Sequence, residues 1–215
     1  MDKKLKLLFY GDSITDADRR RELPTTHQFS YGMGYVMQIA GRIIPDSPEK
    51  YEIINRGVSG NKITDLHARL RLDVWNNEPD VLTILVGVND VWHEVNNNNG
   101  VDLERFEKLY DMLLEDTMKK LPNTKIILME PFVLKGSATE ENYDKFLSVL
   151  DYAKVVKKLA QKYNLPLILL QDKFNEAAKN VDAKYYLHDG VHPNTAGAVL
   201  IANEWIEIAK KENII

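Results

Sequence analysis

Five residues far apart in the chain could together carry acyl-transfer chemistry: Ser13, Gly60, Asn89, Asp189 and His192. They stand in four short motifs, "GDSITD", "NRGVSGN", "LVGVND" and "LHDGVHPN". A serine hydroxyl is a weak nucleophile until a neighbouring base takes its proton, and that base needs a carboxylate to orient it. Asp189 and His192 supply both within one turn, where residues i and i+3 approach to within about 7 Å between Cα atoms. Pro193 biases His192 away from helical backbone, and Asn194 or Thr195 can cap the helix that follows. Gly60 offers a backbone N–H with no side chain to obstruct a substrate, just before a helical pattern that begins near Ile63. Asn89 adds a neutral amide. With the Ser13 N–H they make three donors for the oxyanion of a tetrahedral intermediate.

Each motif alone is ordinary turn and cap vocabulary. The weight comes from the ordered set, in which every motif follows a predicted strand on the same edge. Asp12 reads as structural. Asp90 and His93 repeat the Asp-x-x-His spacing; there Asp90 is expected to cap a helix or bond loop backbone, and His93 to lie on the rim. His27 and His67 have no carboxylate at useful spacing. His188, Asp189 and His192 could also be read as metal ligands, but no further ligand stands nearby, and neither a metal nor a cofactor is expected. The stretch "YGMGYV" at Tyr31–Val36 lacks the third glycine of a dinucleotide fingerprint and follows no strand, so it reads as helix packing. Trp75 and Trp205 read as core or semi-buried aromatics, whereas Trp92, three residues past Asn89, is expected to wall the pocket and bind substrate.

These residues need a scaffold that brings distant loops to one place. Apolar runs at Leu5–Tyr10, Tyr51–Ile54, Val81–Val86, Lys125–Met129 and Leu167–Leu170 read as buried strands. Between them lie helical periodicities, one from Leu103 to Thr117 and another from Tyr143 to Tyr163. Alternating strand and helix implies an α/β fold with a parallel sheet covered on both faces. The segments leaving the strands are long or irregular (Gly11–Ser30, Arg56–Asn61, Gly87–Gly100, Pro131–Asn142, Gln171–Asn194), with "NNNNG" at Asn96–Gly100 expected as a loop. The returns at Trp75–Asp80, Leu121–Thr124 and Asn164–Pro166 are short. Open parallel sheets bind ligands beyond the carboxyl ends of their strands, where strand order reverses.

Composition narrows the function classes. The 215 residues carry 28 Lys+Arg against 32 Asp+Glu, a formal net charge of −4 that gives no footprint for nucleic acid. There is no cysteine, hence no disulfide and no thiolate metal site. The N-terminal apolar segment is short and interrupted by Lys6, so a cytoplasmic protein without a membrane partner is expected. With no repeat, linker or shift in composition, residues 1–215 are expected to form a single domain.

The set "GDSI", "SGN", "GVND" and "DGVHP" resembles the SGNH hydrolases, also called GDSL esterases and lipases, over nearly the whole chain. That resemblance implies a flavodoxin-like three-layer α/β/α sandwich with a five-stranded parallel sheet in the order 2-1-3-4-5. It implies Ser13 as nucleophile, Asp189 and His192 as acid and base, and Ser13, Gly60 and Asn89 as the oxyanion hole, with Gly57 a turn residue. The longer strings "FYGDSITDADR", "INRGVSGNKITDL" and "VGVNDVWHE" are similar to small bacterial carbohydrate acetylesterases, including acetyl xylan esterases, although His93 stands where arginine is more usual. The implied activity is removal of O-acetyl groups from a small acetylated carbohydrate, such as a xylo-oligosaccharide, through an acyl-enzyme, by an assembly larger than a monomer. The alternatives are a lysophospholipase or thioesterase on the same scaffold, and a non-catalytic glycan-binding module.

Overall fold

A computed structural model describes residues 3–215. Strands β1 (Leu5–Gly11), β2 (Tyr51–Gly57), β3 (Val81–Leu85), β4 (Lys125–Met129) and β5 (Leu167–Ile168) form one parallel sheet in the order β2-β1-β3-β4-β5. The expected α/β architecture and strand order are those observed. Register runs Leu7↔Ile53 on one side of β1 and Leu7↔Val81 on the other. β1 is apolar at successive positions because both its faces are covered: Leu7, Leu8, Phe9 and Tyr10 are all fully buried.

The alternation of side chains along β1 separates the two helical layers. Phe9 meets Tyr35 of α2 (Tyr35–Ile43) and Trp205 of α9 (Thr195–Lys211), with ring centroids 5.8 and 5.4 Å apart. Tyr10, on the opposite face, donates its hydroxyl at 2.5 Å to the Leu66 carbonyl in α3 (Ile63–Asp73). On that second face α3 packs on a helix at Leu103–Lys120, which packs in turn on a helix at Val149–Tyr163. Trp205 is anchored as well as buried, donating its indole N–H to Thr83 Oγ1 of β3 at 2.9 Å. Burial of each such large apolar side chain contributes about 1.5–3 kcal/mol.

Several boundaries differ from the sequence-based expectation. The helical periodicity over residues 143–163 is broken into α6 (Tyr143–Phe146) and α7 (Val149–Tyr163), because the Ser148 hydroxyl donates to the Lys145 carbonyl at 2.7 Å and competes with the helical ladder. Gly87–Gly100 is mostly helix, α4 (Val88–Asn97), ended by Asn98 in the left-handed region. Its asparagine-rich end has weak helix propensity, and the helix is held by tertiary contacts instead. The fifth strand stops at Ile168, and Leu170 already opens α8 (Leu170–Ala177). The fourth motif therefore leaves a helical connection rather than a strand. The remaining helices are α1 (Ser13–Asp16) and α5 (Leu103–Lys120).

The carboxyl rim is cross-braced by buried polar groups that join neighbouring chain segments. Asn55 is buried in β2; its amide donates to the Thr15 and Tyr31 carbonyls at 2.6 and 2.8 Å, and its Oδ1 accepts from Gly57 N–H at 2.8 Å. Arg69 of α3 donates to the carbonyls of Gly11 and Arg56, both at 2.8 Å, and to Asn61 Oδ1 at 2.7 Å, while its guanidinium covers the Tyr10 ring. Close approach of backbones requires glycine at two strand ends: a Cβ on Gly57 would fall on the Asp16 backbone, and one on Gly11 on the Leu85 carbonyl and Thr15 side chain. Asn55→Leu would leave two buried carbonyls and one N–H without partners. It should lower unfolding stability by about 3–5 kcal/mol, measured as a shift of the urea midpoint, with Asn55→Asp unable to restore the two donated bonds.

Candidate active site

The sheet order reverses beside β1, and the ends of β1, β2 and β3 open into one crevice there. Asp12 turns the chain out of β1: its Oδ1 accepts from Ile14 N–H at 3.0 Å as the cap of α1, and Ser13 is the first residue of that helix. The first N–H of a helix has no intrahelical acceptor and is free to face a ligand. α1 stops after one turn at Ala17, in the left-handed region with φ 43°.

Across the crevice, the connection between α8 and α9 folds back on itself through a bridge between Leu187 and Pro193 and a bond from His188 N–H to the His192 carbonyl at 3.1 Å. Asn194 caps α9, its side chain accepting from Ala196 and Gly197 N–H. This corner delivers His192 Nε2 to 2.9 Å from Ser13 Oγ, and Asp189 Oδ2 to 2.7 Å from His192 Nδ1. The second oxygen of Asp189 accepts from the Val191 and His192 N–H groups at 2.9 and 2.8 Å.

These bonds set the protonation states. Burial works to raise Asp189, but the His192 ring and the two backbone N–H groups outweigh it and hold the carboxyl well below its ordinary range. His192 is raised, chiefly by its bond to Asp189, partly offset by burial and aided by the charges of Asp189 and Asp12. In the neutral ring the proton sits on Nδ1, facing the carboxylate, and Nε2 is left to accept from Ser13.

A cavity of about 690 Å³ opens over Ser13 and is also lined by Gly60, Asn89, Trp92, Asp189 and His192, so all the residues selected from sequence meet in one place. Gly60 has φ +81°, and its N–H has no acceptor among the described residues. Asn89 Nδ2 donates to the Asn61 carbonyl at 3.2 Å. The Trp92 ring stands edge-on to His192 at 5.9 Å and to Phe146 at 5.5 Å and lines the cavity. Of the Tyr31–Val36 stretch only Tyr35 and Val36 lie in α2, and Met33 and Gly34 line the cavity. His188, Asp189 and His192 place ligand-type atoms within 4.8 Å of one another, and no fourth His, Asp or Glu joins them among the described residues. Asp189 and His192 are already bonded to each other, which leaves His188 stacked over the His192 ring at 5.8 Å.

Sequence reasoning missed the residues that brace this site. Asp16, only 5% exposed at its side chain, accepts from both Ser59 N–H and Ser59 Oγ at 3.0 and 3.1 Å and pairs with Arg21, tying the Ser13 turn to the loop of Gly60. Asn55 and Arg69 act beside it. Asp16 stands inside "GDSITD", but an aspartate after a cap gives no sign of a partner more than forty positions away.

Against known proteins, the chain matches the model of the GDSL-like Lipase/Acylhydrolase family over residues 9–200, and it belongs to that family. Among relatives it is 34% identical to the acetylxylan esterase of Geobacillus stearothermophilus, over 94% of this chain and 92% of that one. A crystal structure of that enzyme superposes with TM-score 0.85 at 33% identity, over 95% and 93% of the two chains. A GDSL-like lipase candidate from Parabacteroides merdae superposes with TM-score 0.91 at 38% identity, over 98% and 97%. Solved forms of the Geobacillus enzyme include catalytic mutants in which a serine, an aspartate or a histidine is replaced by alanine. No helix among the described residues is long and apolar enough to cross a membrane.

Asp12 is fully buried, and burial pushes its carboxyl up to about 7, against opposing contributions from the Ile14 N–H and the His192 charge. In the unfolded chain it titrates near 3.8, so between the two values only the folded state keeps the proton. The resulting stabilisation is complete below that lower value and is lost as pH rises to about 7. Asp12→Asn keeps an acceptor for Ile14 N–H and removes the titration. Its urea midpoint, taken relative to that of the parent protein, should therefore rise between about pH 4 and pH 7; a constant difference would contradict the assignment.

Proposed function

We propose that this chain is a serine esterase that removes acetyl groups from the hydroxyls of small carbohydrates. The observation that carries the reading is the continuous hydrogen-bonded chain from Ser13 through His192 to Asp189 at the mouth of the cavity. Two further points support it. The serine, aspartate and histidine replaced in the catalytic mutants of the Geobacillus acetylxylan esterase are spaced along that chain as Ser13, Asp189 and His192 are here. Beyond these three, the cavity wall sets hydrogen-bonding side chains of Asp18, Ser59, Asn89, His93 and His188 among apolar ones such as Met33 and Trp92, a mixture that suits the hydroxyls and the apolar face of a sugar.

The chemistry follows from the geometry. As Ser13 Oγ forms its bond to the acetyl carbonyl carbon, its proton passes to His192 Nε2, and Asp189 stabilises the imidazolium through Nδ1–H. The carbonyl oxygen, now negative, is met by the N–H groups of Ser13 and Gly60 and by Asn89. Collapse breaks the bond to the sugar oxygen, which takes the proton from His192 Nε2 and departs as the alcohol. A water molecule then gives its proton to His192 and attacks the acetyl-serine; acetate leaves and Ser13 recovers its proton. Trp92 packs against His192 on one side and presents its ring to the cavity, where it can cover the apolar face of a sugar.

Ser13→Ala should lower kcat by about a millionfold, and Asn89→Ala by about a hundred- to thousandfold with little change in the urea midpoint; near-normal turnover of Ser13→Ala would remove the serine from the mechanism. Acetate release from acetylated xylo-, manno- and pectic oligosaccharides, set beside a chain-length series of 4-nitrophenyl esters, tests the substrate. The expected pattern is turnover of an acetylated sugar and a steep loss beyond acetyl. A preference for long acyl chains would replace this reading with a lipolytic one.

A further inference from the structure

The motif "NDVWH" carries an Asp-x-x-His that takes no part in the Ser13–His192–Asp189 chain, and the structure gives it a different occupation. Asn89, Asp90 and His93 lie at i, i+1 and i+4 of α4 and all reach the same four-residue segment, residues 60–63. Asn89 Nδ2 donates to the Asn61 carbonyl at 3.2 Å, Asp90 Oδ1 accepts from Ile63 N–H at 3.1 Å, and His93 Nε2 lies 3.0 Å from the Gly60 carbonyl. A carbonyl can only accept, so Nε2 carries the proton. The other ring nitrogen is then an acceptor, and Asn97 Nδ2 stands 3.5 Å from it, one turn along the same helix.

Gly60 is where such a contact has most effect. At φ +81° and without a side chain, its peptide has a broad range of accessible rotations, and nothing in its own loop bonds its N–H among the described residues. The Gly60 N–H belongs to the preceding peptide plane, but the plane of the Gly60 carbonyl is held at one end by His93 and at the other by the bond from Asn61 N–H to the Val58 carbonyl at 3.2 Å, which restricts the rotations of Gly60 and so the directions in which its N–H can point. Asn89 sits one turn earlier on the helix that carries the anchor. We propose that His93 is a positioning residue for the oxyanion hole: its bond to the Gly60 carbonyl holds the Gly60 N–H in register with the Asn89 amide, so that a donor from a loop and a donor from a helix converge on one oxygen. The inference rests on the esterase reading for its kinetic consequence, though not for the contact itself.

The test compares three variants on 4-nitrophenyl acetate, which has no sugar to touch the rim. His93→Gln can return an N–H to the place of Nε2, whereas His93→Asn is too short and His93→Ala has no donor. A small displacement of a reacting group can cost up to about a hundredfold, so His93→Ala and His93→Asn should lose about 10- to 100-fold in kcat with KM within about twofold. His93→Gln should recover to within about threefold of the parent, with all three urea midpoints unchanged. Equal kcat in the glutamine and alanine variants, or an effect confined to KM, would overturn the proposal and make His93 a substrate contact or a bystander. The Gly60 amide resonance in a nitrogen–proton correlation spectrum separates this from failure of the esterase reading. It should move in His93→Ala and return in His93→Gln whether or not the ester is hydrolysed; an unmoved resonance would show that no such anchor exists.

Discussion

An aspartate carboxylate that accepts three N–H bonds at once is the fixed point of the rim. Asp189 gives one oxygen to the His192 ring and the other to the N–H groups of residues 191 and 192. The side chain that orients the imidazole thus also folds the backbone carrying that imidazole, and neither ring rotation nor loop displacement can occur without breaking the same cluster. Because the acceptors are saturated by donors, the carboxylate remains ionised despite partial burial, and its charge in turn favours the proton on Nδ1. Orientation, tautomer and local fold come from one group.

The parallel sheet makes such an arrangement useful by bringing unrelated loops to a common edge, but proximity at the level of strands is coarse. Strands sit about 4.8 Å apart, whereas hydrogen-bonded chemistry needs placement to within about 0.5 Å. The difference is made up by buried polar side chains that span from one loop to the next. Asn55 links β2 to the turn after β1, Asp16 links that turn to Ser59, and Arg69 gathers the ends of β1 and β2 with Asn61. In each case a side-chain donor or acceptor satisfies backbone groups that a tightly turned, buried chain would otherwise leave unpaired.

The sequence carried the class of fold and the residues that converge on Ser13, because both are written in local patterns: apolar runs, turn dipeptides, and an aspartate three positions before a histidine; the rest of the cavity lining, such as Met33 and Gly34, it did not carry. What it did not carry is instructive. The helix α4 was hidden by its asparagines, since its stability comes from Val88 and Val91 buried against the core rather than from intrinsic propensity. The break at Ser148 was hidden because a serine in a helical pattern can either face solvent or bond back to the preceding turn. Asp16, Asn55 and Arg69 were passed over for a more general reason. Each of them bonds main-chain carbonyls or N–H groups of distant segments, and main chain has no letter in a sequence. Asp90 and His93, by contrast, were visible as a repeat of the Asp-x-x-His spacing and were read apart from it, as a backbone-bonding carboxylate and a rim histidine; the spacing that brings Asp189 and His192 together in a turn places these two along a helix, facing a neighbouring loop.

The tight backbone contacts at Gly11 and Gly57 have a bearing on how this scaffold can be reshaped. Where two main chains touch with no room for a methyl group, the strand ends that carry the site are in effect incompressible and offer laboratory evolution almost no accessible variants. The walls are different in kind: Met33 is 73% exposed, and His188 and Trp92 line the cavity with rings that each rest against His192. Diversity in what such a pocket accepts should thus accumulate in its upholstery while its frame stays constant, and a library aimed at new esters is best spent on those three positions.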